Sequence, residues 1–284
     1  MRIYVLIPVF NRLQHTERVV ECLSRQTLRD SVQIVVIDDG STDGTAEYLR
    51  SCADVMVVQG DGNLWWTGAI DRGLRTVLPD CGDDDYVMFL NNDTWFAPDY
   101  VETLVACSVA HSGAAVGSVI HEEDRDPPLV SIGARVNINR LAVWDRLSEL
   151  QETEARNPRE IYKVDALSGR GTLYSARLFK THGGVRTLLL PHYMADYEIS
   201  MRFARHGTPL IVSSRAIVFS PPVYGNESSN KSFWQRFFGK RSAHNLLQRL
   251  IFYSLVGTIP QRLTALPRMI YFDLVGGISR WTEQ

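Results

Sequence analysis

Apolar runs separated by polar clusters give the first half of the chain its order. Ile3–Val9 (IYVLIPV) is continuous and rich in branched residues, the pattern of a strand buried on both faces. A helix is predicted over Leu13–Gln26, with Leu13, Val20 and Leu23 on one side. VQIVVI, 32–37, is a second buried strand running into DDGSTDGT, where Ser41, Thr42 and Asp43 are candidate N-caps for a helix over Thr45–Cys52. DVMVV is a third strand. The loop GDGNLWWTGAIDRG (60–73) follows, and a helix is expected to begin near Thr67. DYVMFL, 85–90, is a fourth strand that stops at NND (91–93), and Pro98 opens a helix to His111. This alternation predicts a parallel α/β sheet.

Beyond residue 111 the pattern loosens. HEEDRDPPL and ELQETEARNPRE read as loops or exposed segments, with strands near 130–145. ALSGRGTLYSARLF reads as a loop leading into a short helix, MADYEISMRFARHG as an amphipathic helix ended by Gly207, and PLIVSSRAIVF as a last strand. Ligands of parallel sheets sit beyond the carboxyl ends of the strands. The polar clusters at those ends are Asn11, Asp38-Asp39, Asn63 and Asn91-Asn92-Asp93, and they are expected to converge on one crevice.

Composition adds a division of charge. The chain has 284 residues, 45% apolar and 22% charged, as soluble globular proteins do. Its net charge of −2 combines a surplus of five positive charges over residues 226–284 (eight Lys/Arg, three acids) with −7 over the rest. A first domain over 1–225 and a basic, apolar helical tail over 226–284 are therefore expected. The tail reads either as a solvated face or homo-oligomer contact, or as a surface for anionic lipid headgroups. Nucleic acid is not among the expected partners. Four scattered cysteines without a CxxC pair point to neither a zinc site nor disulfides, and a cytoplasmic location is the simpler inference. MRIYVLIPVF is a poor signal peptide, and LIFYSLVGTIPQ is too short and broken to span a bilayer.

Each polar cluster has a plain and a chemical reading. Asp38-Asp39 either belongs to a helix-capping turn or accepts a hydrogen bond from N3–H of a uracil or thymine. Asp93 is either an exposed loop acid or, with a diphosphate, a ligand for Mg2+ or Mn2+. Asp196, followed by Glu198 and Arg202, either complements a helix dipole and pairs along the helix, or is a general base for an acceptor hydroxyl.

In order, IPVFN, DDGSTDGT, a strand ending NND and an acid-led helix after a glycine-rich loop resemble the family-two inverting glycosyltransferases of the GT-A fold, over roughly residues 3–220. The resemblance implies a Rossmann-like nucleotide-binding sheet flanked by helices, here with the helical tail. It implies that Pro8, Asn11 and Asp39 line the nucleoside pocket with Asp38 in support. Asp93 would hold the metal as the last residue of a DxD-type motif, with Asn91 in place of its first Asp. Asp196 matches the catalytic base of the (E/D)D-x-x-L-x-x-R helix and Arg202 its arginine, with Ala195 where an acid often stands. After the last strand FSPPVYGNES lacks the usual metal-binding His, leaving His192 and His244 as substitutes.

GNLWWTGA looks like the N-L-G-G-S-G-G-type stretch of rhamnosyl- and galactofuranosyltransferases. Asn63 and Gly68 match, two tryptophans replace two glycines, and Arg72 stands where many relatives have Asn. Asn63, Gly68, Asn92 and Arg170 are accordingly assigned to the donor, Trp66 to the sugar and Trp65 to the core. The implied reaction moves a sugar, dTDP-rhamnose first and UDP-sugars next, to a saccharide or lipid-linked acceptor at the cytoplasmic face of a bacterial inner membrane. O-antigen synthesis is the implied setting. Two rivals are a catalytically inactive scaffold and a nucleotidyltransferase; the second expects a glycine-rich phosphate loop that PVFNRLQHT lacks.

Overall fold

The computed structural model describes residues 1–150, 159–221 and 245–275. Strand β1 (Ile3–Val9) lies between β2 (Val32–Asp38) and β4 (Tyr86–Phe89), parallel to both, and β3 (Val55–Gln59) extends the sheet beyond β2. Helices α1 (Leu13–Ser24), α2 (Thr45–Ser51), α3 (Trp65–Val77) and α4 (Tyr100–Ala110) make the crossovers. The two faces of β1 explain its continuous apolar run. Ile3, Val5 and Ile7 pack with Val19 and Leu23 of α1 and Leu104 of α4. Tyr4 and Leu6 point the other way, toward Ile70 and Leu74 of α3. Covering both faces removes the polar alternation a half-exposed strand would show.

The remaining strands are β5 (Ala115–His121), β6 (Leu129–Ser131), β7 (Ala134–Asn137), β8 (Ala142–Asp145), β9 (Ile161–Lys163), β10 (Thr172–Ser175) and β11 (Leu210–Phe219). Among the described residues the main sheet runs β3-β2-β1-β4-β10-β5-β11-β9, with β6 on β5, and β7–β8 form a separate hairpin. The strand order reverses between β1 and β4, the place where open α/β sheets form a ligand crevice.

The sheet is mixed, not wholly parallel. TLYS, expected inside a loop, is β10, antiparallel to both β4 and β5. Thr172, Leu173 and Tyr174 are all buried, so this short strand shows no alternation, and the chain reaches it by an excursion through β6–β9 instead of a helical crossover. Helix α3 starts at Trp65, two residues before the expected Thr67, which puts both tryptophans in its first turn.

Helix α5 (Ala176–His182) follows β10, and α6 (Ala195–Arg205) carries the acid-led motif. Phe89, Tyr174, Phe179 and Phe203 form the aromatic floor beneath both, with ring centroids 5.2–5.7 Å apart. The tail contributes α7 (Leu246–Val256), α8 (Ile259–Leu263) and α9 (Ala265–Val275), whereas 226–244, with His244, and 276–284 lie outside the described residues. Phe252, Tyr253, Val256 and Met269 of the tail cluster with Leu141, Leu190 and Ala195. Ala195 is 1% exposed under this contact, a physical reason for a small apolar residue where an acid often stands. Among the described residues no helix is long and apolar enough to cross a membrane.

Arg202 acts as a bracket between α5 and α6. Its guanidinium meets Glu198 (Nε to Oε1 3.1 Å, Nη2 to Oε2 3.2 Å) and donates to the carbonyls of His182, Gly183 and Gly184 just past α5. Arg186 pairs with the same Glu198 at 3.2 Å, and the Glu198 side chain is only 4% exposed. Removing one partner of a buried pair costs about 3–5 kcal/mol, because the other charge is stranded. Arg202→Ala is thus expected to lose about that much stability in urea unfolding, with unchanged nucleotide affinity in the folded fraction. Normal stability with lost nucleotide affinity would instead make Arg202 a ligand-contacting residue.

Candidate active site

The loops after β1 and β2 are stapled together. The Asn11 N–H donates to Ser41 Oγ (2.8 Å), Thr42 N–H donates to Asn11 Oδ1 (2.9 Å), and Leu13 N–H donates to Asp43 Oδ2 (2.9 Å). Of the three expected caps of α2, Ser41 and Thr42 bind the loop after β1 instead, and Asp43 serves both loop and helix. Gly44 is the N-cap, and Asp43 reaches α2 only through Thr45, whose N–H and hydroxyl donate to Oδ1. The staple crosses from one loop to the other, which local spacing does not encode. Asn11 and Arg12 both adopt left-handed backbone (φ 59° and 68°) to make this turn. Pro8, at the end of β1, is half-buried.

Asp38 and Asp39 divide their work in an unexpected way. Both oxygens of Asp39 are engaged: Oδ1 accepts from Gly62 N–H (2.8 Å), and Oδ2 from Leu64 N–H (2.9 Å) and Trp65 N–H (3.2 Å). Asp38 Oδ1 accepts from Ser41 N–H (3.0 Å), while its buried Oδ2 has no hydrogen-bond partner among the described residues. Asp39, expected to line the pocket, holds the loop after β3, and Asp38, expected in support, keeps one buried carboxylate oxygen unpartnered among the described residues. Gly60 lets this happen, because a Cβ there would stand 2.7 Å from Asp39 Cα. Asn63 is exposed on this loop, and the Gly68 N–H donates to the Leu64 carbonyl (3.0 Å) within the first turn of α3.

The tryptophans exchange their expected places. Trp66 packs edge-on against Phe89 (5.9 Å) and donates from Nε1 to Asn91 Oδ1 (3.1 Å). Gly169 lies against the same ring, so a methyl group there would run into the indole. Trp66 is thus the anchor, tying α3 to the end of β4 and to the loop before β10. Trp65 (φ 57°) instead sets its ring edge-on to His192 at 6.0 Å. The left-handed backbone at Trp65 interrupts regular helical rotation at the start of α3, and the two rings meet different partners.

Of NND, Asn92 is buried and donates to Thr16 Oγ1 (3.3 Å), which ties it to α1. Asp93 Oδ2 meets Arg12 Nη1 at 2.9 Å, and its buried Oδ1 has no partner among the described residues. Arg12 is the residue that the reading of the sequence missed; its only signal was adjacency to Asn11. Among the described residues no cluster of three or more His, Cys, Asp or Glu could hold a metal ion. An orphaned carboxylate oxygen still fits an ion that completes its shell with diphosphate oxygens and water.

Asp196 sits in the first turn of α6, half-buried. Oδ2 accepts from Gly169 N–H and Oδ1 from Tyr197 N–H, both at 2.9 Å. Burial pushes its carboxyl above the ordinary value of 3.8, against the opposing pull of these N–H groups and of the Arg170 charge. Trp66 and Asp196 therefore share Gly169 as a common support. Glu198, the other acid on α6, is held between two arginines.

These strand-end loops can be set beside known proteins. A family model described as Glycosyl transferase family 2 matches residues 4–183, from β1 to just past α5. The chain belongs to glycosyl transferase family 2. The matched residues of this family 2 chain include every loop of the crevice except the first turn of α6, with Asp196. Glycosyltransferase GlyA of Streptococcus pneumoniae serotype 4 is 23% identical over 281 residues, 95% of this chain and 35% of that protein. Validoxylamine A glucosyltransferase of Streptomyces hygroscopicus subsp. jinggangensis is 32% identical over 121 residues, 41% of this chain and 27% of that protein. The chain thus spans only a minor part of the length of these curated relatives. The crystal structure of GalNAc-T7 with UDP, GalNAc and Mn2+ superposes with a TM-score of 0.63 at 14% identity, over 98% of this chain and 58% of that one. The fold is GT-A.

The two tryptophans should separate in mutants. Trp66→Ala is expected to cost about 3–5 kcal/mol of stability, and Trp66→Phe, which keeps the packing but loses the bond to Asn91, about 1 kcal/mol. Trp65→Ala should leave the Tm nearly unchanged. Thermal unfolding checks all three, and an equal loss in Trp65→Ala would refute the division.

Proposed function

We propose that this family 2 chain is an inverting glycosyltransferase acting on a nucleotide-diphosphate sugar. The observation that carries the reading is Asp196, a half-buried carboxylate at the crevice loop, held by two backbone N–H groups with Arg170 beside it. Glu198, neutralised by Arg186 and Arg202, leaves Asp196 as the base of α6. The acceptor hydroxyl gives its proton to Asp196 as its oxygen attacks the anomeric carbon. The bond to the diphosphate breaks on the opposite face, and its electron pair leaves with the diphosphate, so the anomeric centre inverts. A carboxyl with a raised pKa is a stronger base than an ordinary one. Arg170 offsets the negative charge beside it.

Pro8 and Asn11 frame the nucleoside. The Asp38-Asp39 pair takes N3–H of uracil or thymine, and Asp39 also shapes the pocket through the loop that it holds at Gly62, Leu64 and Trp65. Asp93 would hold Mg2+ or Mn2+ beside Asn91, and such an ion neutralises charge on a departing diphosphate. GalNAc-T7, solved with UDP and Mn2+, supports that pair as first probes. dTDP-rhamnose rests on the likeness of GNLWWTGA to rhamnosyltransferase loops, and a polysaccharide or lipid-linked acceptor on the tail.

The tail is proposed to rest on an anionic membrane surface as a unit appended to the catalytic domain. Its surplus of five positive charges and the exposed Ile259 (71%) and Leu263 (78%) support this. Deleting the tail would also uncover the buried contact on Ala195, so point changes are the cleaner test. An Ile259→Ser/Leu263→Ser variant should float less well with phosphatidylglycerol vesicles, and salt should weaken both proteins, since each basic residue near such a surface contributes about 1 kcal/mol. A chain that binds no vesicles would make the tail a packing or homo-oligomer element.

The folded Asp196 carboxyl holds its proton more tightly than the unfolded one. Its contribution to stability is therefore present below pH 3.8 and lost as pH rises through the raised folded value. The acidic limb of kcat/KM is expected above pH 3.8 for the same reason. Asp196→Asn should lower kcat by about 10²–10⁴ and leave UDP affinity nearly intact. Wild-type kcat in that variant would remove Asp196 as the base.

A further inference from the structure

Arg12 occupies an unusual position for a cation. It precedes α1 in left-handed backbone, directly after another left-handed residue, Asn11. Non-glycine residues avoid this region, and they hold it only where surrounding contacts impose it. Those contacts are present: Ser41 and Thr42 grip Asn11, and Asp43 caps Leu13. The strained turn puts the Arg12 guanidinium on Asp93, Nη1 to Oδ2 2.9 Å. Arg12 is 37% exposed at its side chain and Asp93 only 9%. The carboxylate is thus fixed at the end of β4 while the arginine reaches it from the solvent side, at the strand-order switch between β1 and β4.

A divalent ion on Oδ1 of Asp93 and the Arg12 guanidinium on Oδ2 would repel each other across the carboxylate. We propose that Arg12 is an exchangeable counter-ion of Asp93: it neutralises the carboxylate in the free protein, yields to a divalent ion arriving with the donor, and then pairs with the donor diphosphate. The inference rests on the reading of Asp93 as the ion's ligand. Arg12 suits the exchange because its planar fork binds carboxylate and phosphate oxygens in the same two-point fashion. The swap also keeps the charge balanced, since the buried Asp93 is paired before and after it. The exchange makes Arg12 a positioning residue for the diphosphate, and it makes the ion and the nucleotide bind together better than either alone.

Calorimetric titrations of the full chain with Mn2+ alone, and with UDP in the presence and absence of Mn2+, test this. Arg12→Gln frees Asp93, so Mn2+ alone should bind about tenfold more tightly than to the wild type, while UDP in Mn2+ should bind about tenfold more weakly. Arg12→Lys keeps the charge without the fork and should recover part of the UDP affinity. An Arg12→Gln variant whose Mn2+ affinity is unchanged or weakened makes Arg12 a loop support only and overturns the proposal. Asp93→Asn separates the two levels. If it abolishes Mn2+ binding while Arg12→Gln does nothing to it, the reading of Asp93 stands and the exchange alone fails. Mn2+ binding by Asp93→Asn as in the wild type refutes both.

Discussion

The carboxylate of Asp39 accepts three backbone N–H groups from the loop between β3 and α3, at Gly62, Leu64 and Trp65. The placement of the loop after β3 follows from that contact. It fixes where β3 releases the chain and starts α3 at Trp65, so that the next residue, Trp66, turns toward Phe89 and Asn91. Trp66 in turn meets Gly169, whose N–H holds Asp196. A chain of short contacts therefore runs from the end of β2 to the first turn of α6. Hydrogen bonds to an ionised acceptor are stronger than neutral ones, which suits Asp39 to anchor a loop with two exposed positions, Asp61 and Asn63.

The crevice carries several local costs. Asp38 Oδ2 and Asp93 Oδ1 are buried without hydrogen-bond partners among the described residues, and Asp196 is held where burial disfavours its charge. Asn11, Arg12, Trp65 and Met194 adopt left-handed backbone at the same edge. Orphaned acceptors and strained residues each cost on the order of 1–3 kcal/mol, and several of them gather at this sheet edge. The opposite demand is met beneath it, where β1 and β4 are buried on both faces and Phe89, Tyr174, Phe179 and Phe203 interlock.

Much of this was legible in the sequence, for reasons that also explain what was not. Strands β1, β2 and β4 announce themselves because two-sided burial writes an apolar run, broken only by Gln33 in β2, and the strand-end acids follow directly from it. Asp196 was legible as an acid opening a helix. Strand β10 was hidden because three consecutive buried residues after a glycine-rich loop carry no period. Which of Asp38 and Asp39 holds the loop after β3, and which of Trp65 and Trp66 packs on Phe89, was hidden for another reason. Neighbours in sequence point to different sides, and which side is which depends on a single residue of register. Arg12 depends on a turn held by contacts some thirty residues away, and no local pattern carries that.

The central claim is that one base, Asp196, serves a single displacement at this edge. Proton NMR of the first product formed from a turned-over sugar nucleotide, chosen from a panel by release of the nucleotide, measures it most directly. The account predicts an anomeric configuration opposite to that of the donor. A product that retains the donor's configuration would contradict it, because a single in-line displacement inverts the anomeric centre and retention requires a second one.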